Sequence, residues 1–568
     1  MFVVFTLAFL GMASRLFVLQ IVEGPQYAEL AVAQRDRVIE FPARRGAILD
    51  REGEPLAISI ELHTVWTDPQ HVEDPAAEAA KLARVLDLDP TELEMKLACD
   101  CRFQYLARQV GPGIAQKVKA LDLPGVYLEA EPKRYYPGRR LASHVLGFVD
   151  IDGKGLEGVE TQFEEILRGT PGSMTLEQDA SGERSLPQAE FTYERPQPGR
   201  SLFLTIDKEL QYFTQATLAH ATQTYHAEAG TAIVMRPQTG EILALANVPD
   251  FDPNKAGTFT DQDRRNRAVT DFYEPGSAYK IVTASAALEE GVVTPKSTFV
   301  VPDAYAYSDR VFHDSHPHPT EKMTVTEIIE QSSNVGTIQI GLRLGGKKLD
   351  SYVRRFGFGA KTGLDFPGES SGLVLDRSDW TGPTIATIPI GQGIAVTPLQ
   401  MAAAYSTLAN RGVWVEPKLI AATMGNRGRA EASPPAATRR VISRRTAKQM
   451  TKILAGVTKD GTGIEAQIPG YEVAGKTGTA QKPLPTGGYG NSYVGSFAGF
   501  APARRPAVVV IVVLDEPSPI WGGSTAAPTF KTITQFALRH LGVSPTGNAE
   551  KAAREIEAEQ AADAATYD

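Results

Sequence analysis

The chain has 568 residues, 42% of them hydrophobic, with 51 glycines and 38 prolines; that length exceeds one ordinary domain and predicts two or three globular units. Its 58 Lys and Arg against 67 Asp and Glu leave a formal charge of -9, which argues against a nucleic-acid partner. The two cysteines, Cys99 and Cys101, stand too close for an easy mutual disulfide and fit no metal-ligand spacing, so they read as ordinary side chains.

Residues 1–22 read as a transmembrane anchor. Phe2 to Ala13 and Leu16 to Val22 are apolar apart from Gln20, interrupted by Ser14-Arg15, and together they are about long enough to span a bilayer. Arg15 would snorkel or face a partner helix. A cleaved leader is the competing reading, but Ala31-Val32-Ala33 lies far from the apolar core and no basic stretch precedes that core. Arg35, Arg37, Arg44 and Arg45 follow the segment, which by the positive-inside rule would keep the bulk of the chain in the cytoplasm. Large domains translocate largely regardless of such charges, and a basic stretch ahead of Met1 would restore the rule, so the bulk is placed outside.

Residues 36–200 mix short polar runs, Gly/Pro turns and a helical stretch from Ala77 to Leu97, with no pairing of nucleophile and base; they read as a scaffold. From 201 to 542 strand-like and helix-like segments alternate. Thr231 to Arg236 and Glu241 to Asn247 flank Pro237-Gln238-Thr239-Gly240 as a hairpin. Glu274-Pro275-Gly276 precedes Ser277, and the apolar run that follows predicts a buried helix opened by that serine. Free N–H groups there would favour a developing anion. Lys280, three residues on, would lie on the same face, where its amine can reach the Ser277 hydroxyl. A serine needs a base, and a lysine serves only if burial beside a second cation lowers its pKa.

Ser332-Ser333-Asn334 follows Ile328-Ile329-Glu330 at a helix end or turn, where hydroxyl and amide groups could shuttle a proton and hold a substrate amide. Two Lys-Thr-Gly triplets occur. Lys361-Thr362-Gly363 lies between Phe356-Gly357-Phe358-Gly359 and Pro367-Gly368, a loop texture. Lys476-Thr477-Gly478-Thr479 follows the strand-like Tyr471-Glu472-Val473-Ala474, with Ser496 to Phe500 and Ala507 to Leu514 as pairing partners and the last of these as a buried central strand. The second copy is therefore the candidate, on an edge strand where Gly478 lets a substrate backbone lie alongside. Lys476 would be the second cation, Thr477 and Thr479 would bind a substrate carboxylate, and the N–H groups of Ser277 and Thr479 would form an oxyanion hole. The order S-x-x-K, S-x-N, K-T-G, with intervals of 55 and 144 residues, is the pattern of penicillin-recognising serine acyltransferases.

Other features take plainer readings. His313, Asp314, His316 and His318, interleaved with prolines, read as a polar loop near the cleft instead of a metal site. Gly391-Gln392-Gly393 lacks the third glycine of a nucleotide loop, which Val396 replaces. Trp66 and Trp521 read as packing residues, 425–440 as a surface loop, and 546–568 as an acidic, Ala-rich tail, helical or disordered. No cofactor is called for.

Arg45-Gly46-Ala47-Ile48-Leu49-Asp50-Arg51-Glu52-Gly53 with Leu56-Ala57, Arg134-Tyr135-Tyr136-Pro137, Gly155-Leu156-Glu157-Gly158-Val159-Glu160 and Gly391-Gln392-Gly393 with Val396-Thr397-Pro398-Leu399-Gln400 resemble motifs of the class B, high-molecular-mass penicillin-binding proteins. The resemblance implies an α+β transpeptidase domain of the penicillin-binding-protein/serine β-lactamase type, an antiparallel sheet with helices, behind an elongated non-catalytic pedestal domain of the dimerisation type and a single transmembrane helix. It implies a periplasmic D,D-transpeptidase anchored in the inner membrane. Ser277 would attack D-Ala-D-Ala ends of peptidoglycan stem peptides, and β-lactam antibiotics would acylate the same serine.

Ala57-Ile58-Ser59 through Val65-Trp66-Thr67-Asp68-Pro69 looks most like the division-specific members, which work at the septum with a polytopic glycosyltransferase and other division-complex membrane proteins. An elongation-type role, a carboxypeptidase or β-lactamase, and an inactive scaffold or β-lactam sensor stay open. For the hydrolases no Glu stands in a helical E-x-x-L-N setting, since Glu369 lies in a loop.

Overall fold

The computed structural model describes residues 1–25, 27, 36–177, 192–425, 428–484 and 486–546. Ala31-Val32-Ala33, Arg35 and the tail after Thr546 lie outside them. Phe2–Val22 is one continuous helix, α-helical to Phe17 and π-helical from Val18, and among the described residues it alone is long and apolar enough to cross a membrane. Its 21 residues rise about 31 Å, close to the hydrocarbon thickness of a bilayer. Arg15 pairs with Glu23 at 3.8 Å, at the helix end.

The remainder divides into two compact units, one of Met1–Ala47, Ser59–Arg134 and Glu165–Arg200, the other of Ile48–Ile58, Tyr135–Glu164 and Ser201–Asp568. In the first, Val65, Leu82, Leu93, Leu97 and Leu106 form the centre of a core. The stretch expected as one helix is two, Pro75–Leu86 and Pro90–Leu97. Asp87 takes a left-handed conformation that ends the first, and Asp89 with Pro90 caps the second. Cys99 and Cys101 form a disulfide, contrary to expectation: their Cα atoms are 5.4 Å apart, inside the range a bridge tolerates. Trp66 packs as expected, stacked 4.6 Å from Tyr127.

In the second unit five antiparallel strands form the central sheet: β1 (Ala229–Met235), β2 (Ile242–Val248), β3 (Ala474–Pro483), β4 (Tyr489–Ala501) and β5 (Val508–Asp515), in the order β2-β1-β5-β4-β3. The hairpin β1–β2 closes on the four residues read as its turn, with Arg236 N–H bonded to Glu241 O at 2.8 Å. Strand β5 lies at the centre of the sheet. Its Val508, Val510, Val512 and Leu514 share a core with Leu210 and Leu218 of α1 (Lys208–Thr224) and with Phe530 and Ile533 of the C-terminal helix (Ala526–His540). Val509 and Ile511, on the alternate face, are buried as well. Covering both faces is what makes the strand read as an unbroken apolar run, since period-2 alternation needs one wet face.

The helical half of the unit is built around α2 (Lys280–Glu289), of which every residue from Lys280 to Leu288 is buried, together with α3 (Asn334–Leu344) and α4 (Pro398–Ala409). Thr397 and Gln400 close a capping box with Pro398 in the first turn of α4, so the Val396–Gln400 motif is a helix start fixed by its own side chains. Asp50 accepts N–H bonds from Glu52, Glu54 and Lys208, which makes the Arg45–Gly53 motif a turn organised by one buried carboxylate. The insertion at 425–440 holds two short strands, Ala430–Ala432 and Thr438–Arg440, where an irregular loop was expected; their side chains are exposed, so no burial pattern marks them.

Phe530 is fully buried and meets Phe497 at 4.6 Å. Phe530→Ala is expected to destabilise this unit by about 3–5 kcal/mol, checked as a lowered midpoint in urea unfolding followed by tryptophan fluorescence.

Candidate active site

The nucleophile segment is tighter than expected. Gly276–Tyr279 is a 3₁₀ turn, and the α-helix proper begins at Lys280. With three residues per turn, positions 277 and 280 eclipse, so the side chains of Ser277 and Lys280 leave the same edge. Gly276 has φ +50°, a conformation that glycine adopts at little cost. Lys280 and Lys476 are both fully buried.

Ser332 sits in the turn after the helix Val325–Glu330 with φ 64°, a left-handed conformation costing a non-glycine residue about 1–2 kcal/mol. That turn aims both its carbonyl and its hydroxyl at the lysines. Lys280 Nζ donates to Ser332 O at 2.6 Å, to Asn334 Oδ1 at 2.8 Å and to Ser332 Oγ at 3.3 Å. Lys476 Nζ donates to the same Ser332 Oγ at 2.8 Å. The Lys280 amine, one 3₁₀ turn from Ser277, makes its hydrogen bonds to Ser332 and Asn334.

Burial pushes the Lys280 ammonium down to about 7, against an upward pull from Asp314. Burial, then the charge of Lys280, holds Lys476 well below its usual range. Two desolvated ammonium groups on one hydroxyl disfavour each other, so a neutral amine is available near neutrality.

Lys476, Thr477, Gly478 and Thr479 lie on β3, which is the edge strand, paired on one side with Ala498, Phe497, Ser496 and Gly495 of β4. Glycine at 478 has a further reason, one of packing. A Cβ there would stand 2.3 Å from Ser496 Oγ, 3.0 Å from Pro275 O and 3.2 Å from Ala278 Cβ: it is the nucleophile turn that lies against Gly478. Gly391 is close-packed in the same way, since its Cβ would stand 2.3 Å from Gly276 O, and Gly391 O accepts from Gly276 N–H at 3.1 Å. Gly391-Gln392-Gly393 therefore buttresses the nucleophile turn. Tyr405 of α4 holds it from within, donating to Ala278 O at 2.9 Å.

Thr477 Oγ1 and Thr462 Oγ1 are 2.9 Å apart, and Thr479 Oγ1 accepts from Gly522 N–H at 3.1 Å. Neither Thr462 nor Gly522 was singled out in the sequence; Gly461-Thr462-Gly463 and Trp521-Gly522-Gly523 carry only a small-residue texture. Trp521 is 44% exposed beside His316, so it is a surface residue and not the packing residue expected.

The other triplet, Lys361-Thr362-Gly363, is in a loop. Glu369 Oε1 accepts from Thr362 N–H at 2.7 Å and from Thr362 Oγ1 at 2.6 Å, which assigns both to loop structure. Of the histidine cluster, only His318 contacts Asp314 through its ring, at 3.1 Å, and among the described residues no group of three or more His, Cys, Asp and Glu is placed to hold a metal ion.

Comparison with known proteins identifies the family. Residues 230–535 match the penicillin-binding protein transpeptidase domain and 40–204 the penicillin-binding protein dimerisation domain. Stage V sporulation protein D of Bacillus subtilis is 36% identical over 554 residues, covering 95% of this chain and 85% of that protein. Peptidoglycan D,D-transpeptidase FtsI of Escherichia coli K12 is 34% identical over 520 residues, covering 90% and 86%. The crystal structure of penicillin-binding protein 3 from Mycobacterium tuberculosis, complexed with aztreonam, superposes with a TM-score of 0.71 at 32% identity, covering 90% of this chain and 98% of that one. The chain belongs to the class B penicillin-binding proteins, with a transpeptidase domain that follows a dimerisation domain.

Gly478→Ala is expected to displace the nucleophile turn and slow covalent labelling by a fluorescent penicillin on the order of 100-fold, as a misplacement of about 1 Å can. Gly478→Ala with Ser496→Ala, which removes the nearest obstacle, should recover part of that rate in the same labelling assay.

Proposed function

We propose that the protein is a serine D,D-transpeptidase that crosslinks peptidoglycan stem peptides ending in D-Ala-D-Ala, with Ser277, Lys280, Ser332, Asn334 and Lys476 as its reacting and proton-handling groups. The observation that carries this reading is the convergence on Ser332 Oγ of two buried lysines, one of which, Lys280, stands one turn along from Ser277, in a chain of this family. Neutral Lys280 takes the Ser277 proton as Oγ attacks the carbonyl of the penultimate D-Ala. The N–H groups of Ser277 and Thr479 face the oxyanion that forms. The C–N bond breaks, the leaving amine of D-Ala takes a proton through Ser332 Oγ, and an acyl-Ser277 ester remains. An acceptor amine on a neighbouring strand then attacks the ester, gives up a proton to the lysine pair and restores the Ser277 hydroxyl. Thr477 and Thr479 hold the terminal carboxylate, Gly478 keeps β3 flush with the nucleophile turn, and Asn334 holds the substrate amide. A β-lactam enters the same path and stops at the ester.

In this reading Glu369 is bonded to Thr362 and supplies no base for hydrolytic water, which favours transfer over a β-lactamase or carboxypeptidase outcome. Residues 1–22 anchor the chain in the inner membrane, 36–200 form the pedestal and 201–542 the transpeptidase domain in the periplasm. Similarity to a protein named FtsI supports a septal role beside a polytopic glycosyltransferase. Similarity to a stage V sporulation protein supports a second reading, in which the same reaction builds wall during sporulation. Depletion separates them: filaments with unconstricted septa are expected for the first, and normal vegetative division is the result that would favour the second.

The full-length protein in detergent, exposed to a fluorescent penicillin, should carry a stable label on Ser277 and lose it in Ser277→Ala. The labelling rate should rise with pH through about 7, because the folded-state pKa of Lys280 is lowered to that value and the neutral amine dominates above it. Label on another residue, or rapid release, would refute this assignment.

A further inference from the structure

The loop from His313 to His318 was set aside as merely polar, yet it supplies the carboxylate around which the second motif is built. Asp314 is 7% exposed at its side chain and follows directly on the hairpin strand Arg310–His313. It accepts from Ser333 Oγ at 2.7 Å, from Val335 N–H at 3.0 Å and from the N–H of Asn334. Asn334 is thereby held at three points: its N–H by Asp314, its Nδ2 by His313 O at 3.0 Å and its Oδ1 by Lys280 at 2.8 Å. The amide can present its oxygen to Lys280 in only one orientation.

His318 completes the arrangement. Its Nε2 lies 3.1 Å from Asp314 Oδ2 and its Nδ1 lies 2.7 Å from Pro319 O. A carbonyl and a carboxylate are both acceptors, so these contacts favour a ring that donates from both nitrogens, and the Pro319 carbonyl, then Asp314, raise its pKa above the usual histidine value. We propose that Asp314 is a positioning residue of the reaction: it clamps Ser333, Asn334 and Val335 so that Asn334 meets Lys280, and its charge, partly neutralised by His318, acts on the Lys280 ammonium.

The charged groups around this pair are few. Lys280 and Lys476 stand on the motif side. On the loop side Glu321 acts on His318, the His313 ring faces Asp303 at 4.0 Å, and His316 faces Trp521. Asp314 favours the protonated form of Lys280, so removing its charge lets Lys280 deprotonate at lower pH. Removing His318 unmasks the carboxylate and works in the opposite sense.

This inference rests on the acyl-enzyme reading above, and one experiment tests the two separately. Single-turnover acylation by a fluorescent penicillin is measured across pH with full-length protein in detergent, for wild type, Asp314→Asn, Asp314→Ala and His318→Ala. Asp314→Asn keeps an oxygen for the two backbone N–H groups and a donor for Ser333 Oγ, so its plateau rate should stay within a few-fold of wild type. Its acid limb should move to lower pH. His318→Ala should move the limb to higher pH, and Asp314→Ala, without the clamp, should lower the plateau on the order of 10- to 100-fold.

A folded Asp314→Ala that acylates at the wild-type rate overturns the clamp, and an Asp314→Asn limb coincident with wild type overturns the electrostatic part. If Asp314→Ala fails to fold, Ser333→Ala, which removes one of the groups Asp314 holds, tests the clamp by the same fall in plateau rate, a wild-type plateau overturning it, and the Asp314→Asn limb still decides the electrostatic part. Wild type unlabelled at Ser277 would overturn the acyl-enzyme reading and this one with it.

Discussion

Two buried lysines share one serine hydroxyl, and the rest of the site is arranged around that contact. Two like charges brought together in a desolvated site disfavour the state in which both are protonated. Burial is the larger cause for both amines: it depresses Lys280 against the upward pull of Asp314, and it depresses Lys476 with the charge of Lys280 adding in the same direction. A fold that keeps both amines dry therefore keeps at least one of them neutral. Such a pair costs folding free energy, and the cost is met by the helices and strands that surround it: α2 is buried from Lys280 to Leu288, and β3 is buried from Ala474 to Gly478.

The second constraint is the approach of backbone to backbone. The nucleophile turn is pressed against β3 at Gly478 and against the 391–393 loop at Gly391. Gly522 packs on β3 from another side, where a Cβ would stand 2.2 Å from Gly478 O. Each contact excludes a side chain, so the separation between the nucleophile turn and β3 is set by main chain. Tyr405 and the capped start of α4 fix the same turn from the core. Rigid support of this kind is what a reaction needs when its groups must stay within a fraction of an ångström of their working positions.

Much of this was legible in the sequence because the relevant physics is local. The anchor is an apolar run of spanning length, the β1–β2 hairpin is two strands around a four-residue turn, and the two Lys-Thr-Gly copies separate by whether strand or loop residues surround them. What escaped was tertiary. Asp314 organises Ser333 and Asn334 from about twenty residues away, and in sequence it is one polar residue among histidines and prolines. Thr462 and Gly522 reach Thr477 and Thr479 from separate loops. The 3₁₀ geometry at Ser277 was read as an α-helical start because both begin with the same turn and differ by one hydrogen-bond register. The Cys99–Cys101 bridge was missed because spacing alone says nothing about the backbone bend that brings two Cα atoms to 5.4 Å.

The protonation of the lysine pair is the central claim, and it can be observed without any reaction. Full-length protein with ¹³C-labelled lysine Cε, assigned through Lys280→Arg and Lys476→Arg, would be titrated by NMR. The account predicts that the Lys280 resonance titrates near 7 and that Lys476 titrates well below the usual lysine range. Both resonances remaining those of charged ammonium groups up to pH 9 would contradict it.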